Sequence, residues 1–269
     1  MFSNYNFVTR TISDLISFEF LFRCVSQQSP NISGVDNDCE IGNPFIRMHP
    51  DLPHASAQVF QHITVPLAMS FGFIKWFIAD FFALSTGKVG NINFSVTQSE
   101  WYKLLIFKSF WLLIHVIVPI YYCGVVKTFL LAFLWLAIGA HYLENTFIVN
   151  HIQHGLVPSV NAHWSVKQVL ATSNWCSESI FFNWISGGLN HQIEHHLFPT
   201  VSIHLYPQIS PIIKKCCQDF NLPYYNYPSF TSAWCDMICY LKALGQADFK
   251  PENFISKLDR QAHDSKKIM

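Results

Sequence analysis

The stretch SFWLLIHVIVPIYYCGVV, residues 109–126, is followed after one lysine by TFLLAFLWLAIGAHYL, residues 128–143, and neither contains Asp, Glu, Lys or Arg. A helix needs about 20 mostly apolar residues to cross a hydrocarbon core of about 30 Å, so both runs approach the length of a membrane span. A third run without such charges covers residues 55–74, and apolar residues continue to position 84. Three such runs in close succession favour membrane helices over the buried helices of a soluble core.

The composition of the whole chain agrees with a membrane protein. Hydrophobic residues make up 51% of the sequence and charged residues only 13%, about half the usual share in soluble domains. Because 17 basic residues balance 17 acidic ones, no excess of charge favours nucleic acid as a partner. The eight cysteines include no C-x-x-C pair, which argues against a zinc site or a disulfide framework.

A second informative stretch is GLNHQIEHHLFP, residues 188–199, which places several polar groups in an otherwise apolar chain. In helical conformation Gln192 and His196 share one face, as do His191 and His195, while Glu194 is a candidate acceptor for an imidazole N–H. The adjacent histidines His195 and His196, with Gln192 three residues before the first of them, favour a metal site over ordinary surface histidines. Imidazole suits iron, copper or zinc, and HQIEHH is not the H-E-x-x-H zinc motif, so spacing alone leaves the metal open.

The flanks of this stretch define its local structure. Pro199 is expected to end the helix, and Gly187 and Gly188 allow another part of the backbone to approach closely at its start.

A third polar segment, HYLENTFIVNHIQHG at residues 141–155, is predicted to be the end of a helix closed by Gly155. On such a helix Asn150, His151 and His154 would share one face. We interpret His154, next to the terminal glycine, as a solvated side chain. Asn150 and His151 are interpreted as functional.

The quoted segments resemble the membrane fatty acid desaturases. HQIEHHLFPT is similar to the third histidine box of this family, in the front-end type whose box begins with glutamine. FIVNHIQH resembles the segment that precedes this box in the family, and residues 30–67 resemble the region after the family's second box. The likeness covers about residues 20–245.

This resemblance implies an all-α integral membrane protein, in which a helical membrane bundle carries a cytosolic helical cap with the histidine box. A di-iron site in the cap would use O2 to introduce a cis double bond into a polyunsaturated fatty-acyl chain. The resemblance assigns His195, His196 and His151 as metal ligands. The resemblance and the spacing together leave four residues as further ligands or as hydrogen-bonding partners of ligands: Gln192, Glu194, Asn150 and His191.

The sequence also departs from the family's pattern. The first histidine box, H-D-x-x-H, would be expected before residue 20, where no histidine stands. At the place of the second box, H-x-x-H-H, the sequence has Gln27 and Gln28. The H-P-G-G heme motif of an attached cytochrome b5 domain is also missing, so electrons are expected from a separate cytochrome b5 and its reductase. Little turnover is expected from this chain alone.

A site reached by residues before and after the membrane part requires an even number of crossings. Two spans are therefore expected from the three apolar runs, with the remaining run lying in the interface or forming a broken element. The sequence also predicts a polar segment at 1–54, a desaturase domain at 55–245 and a polar tail at 246–269. Within the domain, spans are expected at about 55–84 and within 104–147, followed by a cytosolic histidine-box region at 148–245. The expected location is the endoplasmic reticulum, with the box facing the cytosol and a membrane lipid or acyl-CoA as substrate.

Three alternatives remain open at this stage. The chain is a desaturase, a truncated or inactive desaturase-like membrane protein, or a related enzyme such as a His-box lipid hydroxylase or a soluble metal hydrolase. Neither the chain length of the substrate nor the position of the double bond follows from the sequence.

Overall fold

A computed structural model describes residues 46–48, 52–89, 92–93, 95–156 and 163–249. The expectations for Gln27 and Gln28 and for the tail beyond residue 249 lie outside this part. The described residues divide into two units: those of Ala68–Tyr142 belong to unit 1, and those of Ser29–Leu67 and Leu143–Met269 belong to unit 2.

The first helices form a bent pair. A 3-10 turn at Ser56–Phe60 leads into helix α1, Gln61–Met69, and helix α2 follows at Gly72–Thr86. The two are bent by 64° at the break between them. Helix α2 ends at Gly87, whose φ of +63° is a left-handed conformation that glycine adopts without strain. Strands β1, Lys88–Val89, and β2, Ile92–Asn93, then pair antiparallel.

Two long helices follow, and both are long and apolar enough to cross a membrane. The first combines helix α3, Gln98–Leu112, a π-helical turn, Leu113–Ile117, and helix α4, Val118–Cys123. The second is helix α5, Val125–Ile148. The turn between them is Gly124, with a φ of +80°.

The two long helices pack as an antiparallel hairpin. The ring of His115 stacks on Trp135 of α5 at 5.8 Å, and these residues lie at similar distances from Gly124 along the chain. Tyr102 and Tyr121 are exposed near the two ends of the first helix. They lie 19 residues apart, or about 30 Å at about 1.5 Å per residue, which matches the spacing of the two interfaces of a bilayer.

The start of α3 is encoded locally by a capping box. The hydroxyl of Thr97 accepts from the backbone N–H of Glu100 at 3.4 Å, and a Glu100 carboxylate oxygen accepts from the backbone N–H of Thr97 at 2.7 Å. This reciprocal pair satisfies two N–H groups that the first turn of a helix leaves without partners.

Unit 2 consists of short helices and loops around a buried polar centre. Its elements are α6 Trp164–Leu170, β3 Asn174–Trp175, α7 Ile180–Ile185, α8 Gln192–Leu197, a 3-10 turn Ile203–Leu205, α9 Tyr206–Asp219, β4 Asn226–Tyr227 and α10 Phe230–Leu244. Strands β3 and β4 pair in parallel. The predicted all-α membrane fold is confirmed, and the described residues add two ladders of two-residue strands.

The segment before α1 is tied to the end of α10 within unit 2. The guanidinium of Arg47 donates to the carbonyl of Leu244 at 3.0 Å, and the side-chain amide of Gln61 donates to that of Leu241 at 2.8 Å. The bond from Arg47 satisfies a carbonyl group that the last turn of a helix leaves without an intrahelical partner, whereas the Leu241 carbonyl also accepts from the backbone N–H of Gly245 at 3.1 Å. The bonds from Arg47 and Gln61 join parts of the chain that are 180 residues or more apart.

The helices of spanning length differ in position from the predicted spans. The sequence predicts one span at about 55–84 and one within 104–147. The structure has two helices of spanning length between Gln98 and Ile148, and in the first region it has the bent pair. The difference arises because Gly124 reverses the chain in the second region. The predicted domain bounds stay predictions.

Candidate metal centre

The histidine-rich stretch forms the short helix α8, whose entrance depends on a glycine. Gly188 has a φ of +81°, and a Cβ atom there would lie 2.8 Å from Cβ of Ile203. This close approach, expected from the sequence, brings Tyr206 at the start of α9 next to α8. All five residues from Gln192 to His196 are buried.

The two adjacent histidines each have a distinct partner on one ring nitrogen. Nδ1 of His195 lies 3.2 Å from the hydroxyl of Tyr206, and Nδ1 of His196 lies 2.9 Å from Oε1 of Gln168 on α6. Because an amide oxygen only accepts, Nδ1 of His196 carries the proton and Nε2 is bare. That Nε2 is buried and has no hydrogen-bond partner among the described residues.

His151 lies next to this pair, on a turn that follows α5. Its Nε2 is 3.0 Å from the amide nitrogen of Gln192, and its ring centre is 5.1 Å from that of His196. The helix predicted to reach Gly155 ends instead at Ile148. The structure thus brings His151, Gln192, His195 and His196 together, as the sequence analysis grouped them.

Asn150 holds the turn in place through its side-chain nitrogen, while its Oδ1 is buried without a hydrogen-bond partner among the described residues. Its Nδ2 donates to the carbonyl of Thr146 at 3.0 Å and to that of Leu189 at 2.8 Å. Its backbone carbonyl accepts from the N–H of Ser173 at 3.0 Å. These bonds connect the end of α5 to the loop before α8.

His154 is buried, with only 2% of its surface exposed, so the prediction of a solvated side chain is wrong. Its Nδ1 lies 2.8 Å from Oδ1 of Asp236 on α10, and its backbone N–H donates to Oδ2 of the same carboxylate at 3.2 Å. The hydroxyl of Tyr227 also donates to Oδ2, at 2.7 Å. This carboxylate on a distant helix anchors the turn that carries His151, and local sequence gave no sign of it.

Glu194 is the buried carboxylate of α8, with no exposed surface. Its Oε2 accepts from Nδ2 of Asn174 at 2.7 Å, and its Oε1 accepts from the hydroxyl of Tyr224 at 2.7 Å. Burial raises the pKa of Glu194, but the imidazole of His191 and the bonds from Tyr224 and Asn174 lower it by a larger amount. The pKa of Glu194 therefore lies below its ordinary value. Glu194 is therefore ionised at neutral pH.

His191 precedes α8 and is also completely buried. Its Nδ1 lies 3.7 Å from Oε2 of Glu194, which is longer than a hydrogen bond. Neither ring nitrogen has a hydrogen-bond partner in the part of the chain that the structure describes. His191 is therefore a close polar neighbour of the Glu194 carboxylate, without a hydrogen bond to it.

The three histidines of the cluster are neutral at physiological pH. Burial lowers the pKa of His195 to about 4, and burial together with repulsion from His195 lowers that of His151 to about 4. The pKa of His196 lies well below its ordinary value because of burial and the proximity of His151 and His195. Neutral imidazoles have a free lone pair, which is the state that binds a metal ion.

The imidazole donors of this cluster suit iron, copper or zinc, and they form only part of a ligand set. Three neutral imidazoles meet, and Oε1 of Gln192 is buried without a hydrogen-bond partner among the described residues. Within residues 46–48, 52–89, 92–93, 95–156 and 163–249, no group of three or more His, Cys, Asp or Glu side chains is arranged to hold a metal ion.

Comparison with known proteins places the chain in a family. The model of the fatty acid desaturase family matches residues 34–228, and the chain belongs to this family. It is 32% identical to the sn-1 linoleoyl-lipid 6-desaturase of Synechocystis sp., over 81% of this chain and 63% of that protein. It is 31% identical to the acyl-lipid (8-3)-desaturase of Physcomitrium patens, over 82% of this chain and 48% of that protein.

A further relative is the Delta(5) fatty acid desaturase A of Dictyostelium discoideum, 32% identical over 74% of this chain and 46% of that protein. The chain thus spans about half to two thirds of the length of these relatives. No solved structure matches this chain.

Proposed function

We propose that the chain acts in fatty acid desaturation of the front-end type, introducing a cis double bond into a polyunsaturated fatty-acyl chain with O2 and iron. The observation that carries the proposal is the meeting of three buried neutral histidines with Gln192, which occupies the first position of the box. Relatives named as a 6-desaturase and a Delta(5) desaturase support the front-end assignment.

His151, His195 and His196 would hold the metal, with Gln192 as a further donor. Iron, when bound, would activate O2, which is the oxidant, and no side chain provides this chemistry. Gln168 keeps the proton of His196 on Nδ1, so that Nε2 is available for binding. Burial of α8 excludes water from these donors, and the Glu194 network holds the helix in register.

The described residues would supply only part of the donors of a di-iron centre. In this proposal the other ligands come from outside this part of the chain, and electrons come from a cytochrome b5 and its reductase. The substrate is an acyl chain carried by a membrane lipid or by CoA. The chain would lie in the endoplasmic reticulum, with unit 2 on the cytosolic side.

Replacing Gln168 by leucine is expected to weaken iron binding by about 10-fold to 100-fold, because His196 loses the acceptor that fixes its tautomer and ring orientation. Iron affinity of the detergent-purified protein would be measured by competition with a chelator of known affinity. Gln168→Glu keeps an acceptor at this position and should retain most of the affinity. Equal affinities of the leucine variant and the unchanged protein would contradict this role of Gln168.

The proposed function is tested by fatty acid analysis in a yeast host supplied with polyunsaturated fatty acids. The chain and a longer product of the same gene would be expressed in parallel, each beside a His195→Ala/His196→Ala variant. We expect a histidine-dependent product with one additional double bond on the carboxyl side of the existing ones. A hydroxylated product would instead support a lipid hydroxylase, and the absence of any new product from either form would support an inactive desaturase-like protein.

A further inference from the structure

Each helix of the bent pair α1–α2 exposes an apolar stripe. The large exposed side chains recur every three or four residues, the spacing of one face of a helix. They are Phe60, Ile63, Leu67, Phe71, Ile74, Ile78 and Phe82, with between 44% and 66% of each exposed. Exposed apolar surface of this extent indicates contact with lipid or with another protein.

Both ends of the segment from α1 to α5 are fixed within unit 2. At its start, Gln61 donates to the carbonyl of Leu241 at 2.8 Å, and just before it His54 lies 2.9 Å from the carbonyl oxygen of Gly245. At its end, Oδ1 of Asn145 accepts from the indole N–H of Trp234 at 2.8 Å. The chain therefore leaves unit 2 and returns to it on one side of the membrane.

A segment that starts and ends on one side crosses the membrane an even number of times. The hairpin of Gln98–Cys123 and Val125–Ile148 supplies two crossings. A single crossing by α1–α2 would make three, which the bonds within unit 2 forbid. Nor can each half of the bent pair cross, because Ser56–Met69 has 14 residues and Gly72–Thr86 has 15. At about 1.5 Å per residue these give about 21 and 23 Å, against a core of about 30 Å.

We propose that α1–α2 is a re-entrant element, which enters and leaves the bilayer on the side of unit 2 and turns its apolar stripes toward the lipid of that leaflet. The inference depends on hydrogen bonding and helix length, and it holds whether or not the protein is a desaturase.

Contacts between α2 and α3 explain how charged groups are accommodated in this element. Asp80 of α2 and Lys108 of α3 form an ion pair at 2.8 Å, and the ammonium group lies 4.5 Å from the ring centre of Phe77. Phe77 also packs against Trp111 at 6.1 Å, in the antiparallel register that the ion pair defines. Charged groups within a bilayer are costly unless they are paired, and here the ammonium group of Lys108 is paired with the carboxylate of Asp80.

The proposed topology is tested with the full chain in sealed microsomes of the endoplasmic reticulum. A long Gly/Ser linker carrying both a glycosylation acceptor and a protease cleavage sequence is inserted at one of three places. These are the turn between β1 and β2, the turn at Gly124, and the turn at Asn221 in unit 2. Each insert gives a positive signal whichever side it lies on. An insert in the lumen is glycosylated, and an insert outside the microsome is cut by added protease.

The β1–β2 insert is expected to behave like the Asn221 insert, and the Gly124 insert is expected to behave in the opposite way. A β1–β2 insert that reports the same side as the Gly124 insert would show that α1–α2 crosses the membrane, and it would overturn the proposal. The same signal from all three inserts would also overturn it, because the hairpin of α3–α4 and α5 would not cross.

Lipid contact is tested by placing a photoactivatable phenylalanine analogue at Phe82, in vesicles that contain a radiolabelled phosphatidylcholine. Phe82 is 66% exposed, so strong transfer of label to the protein is expected. The same analogue at Phe77, whose ring packs against Trp111, is the matched control and should take up several-fold less label. Equal labelling at the two positions, or cross-linking of Phe82 to a second protein chain, would contradict a stripe that faces lipid.

Discussion

Replacing His196 by alanine is expected to lower iron affinity by at least about 100-fold and to abolish any fatty acid desaturation that depends on this chain. Nε2 of His196 is buried and without a hydrogen-bond partner among the described residues, while Gln168 fixes the other ring nitrogen. Loss of a ligand should exceed the 10-fold to 100-fold effect typical of losing a residue that orients a ligand. Bound iron per chain, measured by elemental analysis, gives the first readout.

A matched control separates loss of the ligand from general damage to the protein. His204 is an exposed histidine in the 3-10 turn after α8, so His204→Ala should leave the iron content unchanged. The melting temperatures of both variants in detergent would be compared with that of the unchanged protein. Full iron content in a folded His196→Ala protein would refute the assignment of His196 as a ligand.

The elements that the sequence predicted are those encoded by neighbouring residues. The absence of charge over residues 109–126 and 128–143 marks the helices that can cross a membrane, because this property depends only on composition and length. The helix of Gln192–Leu197 and its glycine entrance also follow from local spacing.

The partners of the histidines could not be predicted, because they come from distant parts of the chain. Gln168 precedes His196 by 28 residues, and Tyr206 follows His195 by 11. Neither WSVKQVL nor the residues around Tyr206 carry a motif that marks them as partners of a metal ligand. Tertiary packing alone brings these groups to the ring nitrogens.

His154 shows why a local pattern gave a wrong result. A histidine beside a terminal glycine usually faces solvent, and nothing nearby in sequence contradicts that expectation. The structure buries His154 because Asp236, 82 residues further along, supplies a carboxylate that binds both its ring and its backbone N–H. A buried polar side chain is tolerated when its hydrogen bonds are satisfied, and that depends on residues far away in the sequence.

Replacing Glu194 by alanine is expected to destabilise the protein by about 3 kcal/mol, because two buried donors lose their acceptor. Nδ2 of Asn174 and the hydroxyl of Tyr224 both bond to this carboxylate at 2.7 Å. For a chain of this size the change corresponds to a fall of about 10 °C in melting temperature, measured by thermal unfolding in detergent.

The variant Tyr224→Phe is expected to have a smaller effect than Glu194→Ala. It removes one of the two hydrogen bonds to the Glu194 carboxylate and leaves the bond from Asn174. This variant should lose about 1.5 kcal/mol, and the part of the effect that comes from the bond to Glu194 should disappear in a protein that already carries Glu194→Ala. The part that comes from the bonds of the Tyr224 hydroxyl to Asn174 and Ser210, at 2.8 and 2.7 Å, should remain. Such coupling is the expected signature of two groups that bond directly to each other. Additive effects, or a melting temperature of Glu194→Ala within 2 °C of the unchanged protein, would show that this network does not hold α8 in place.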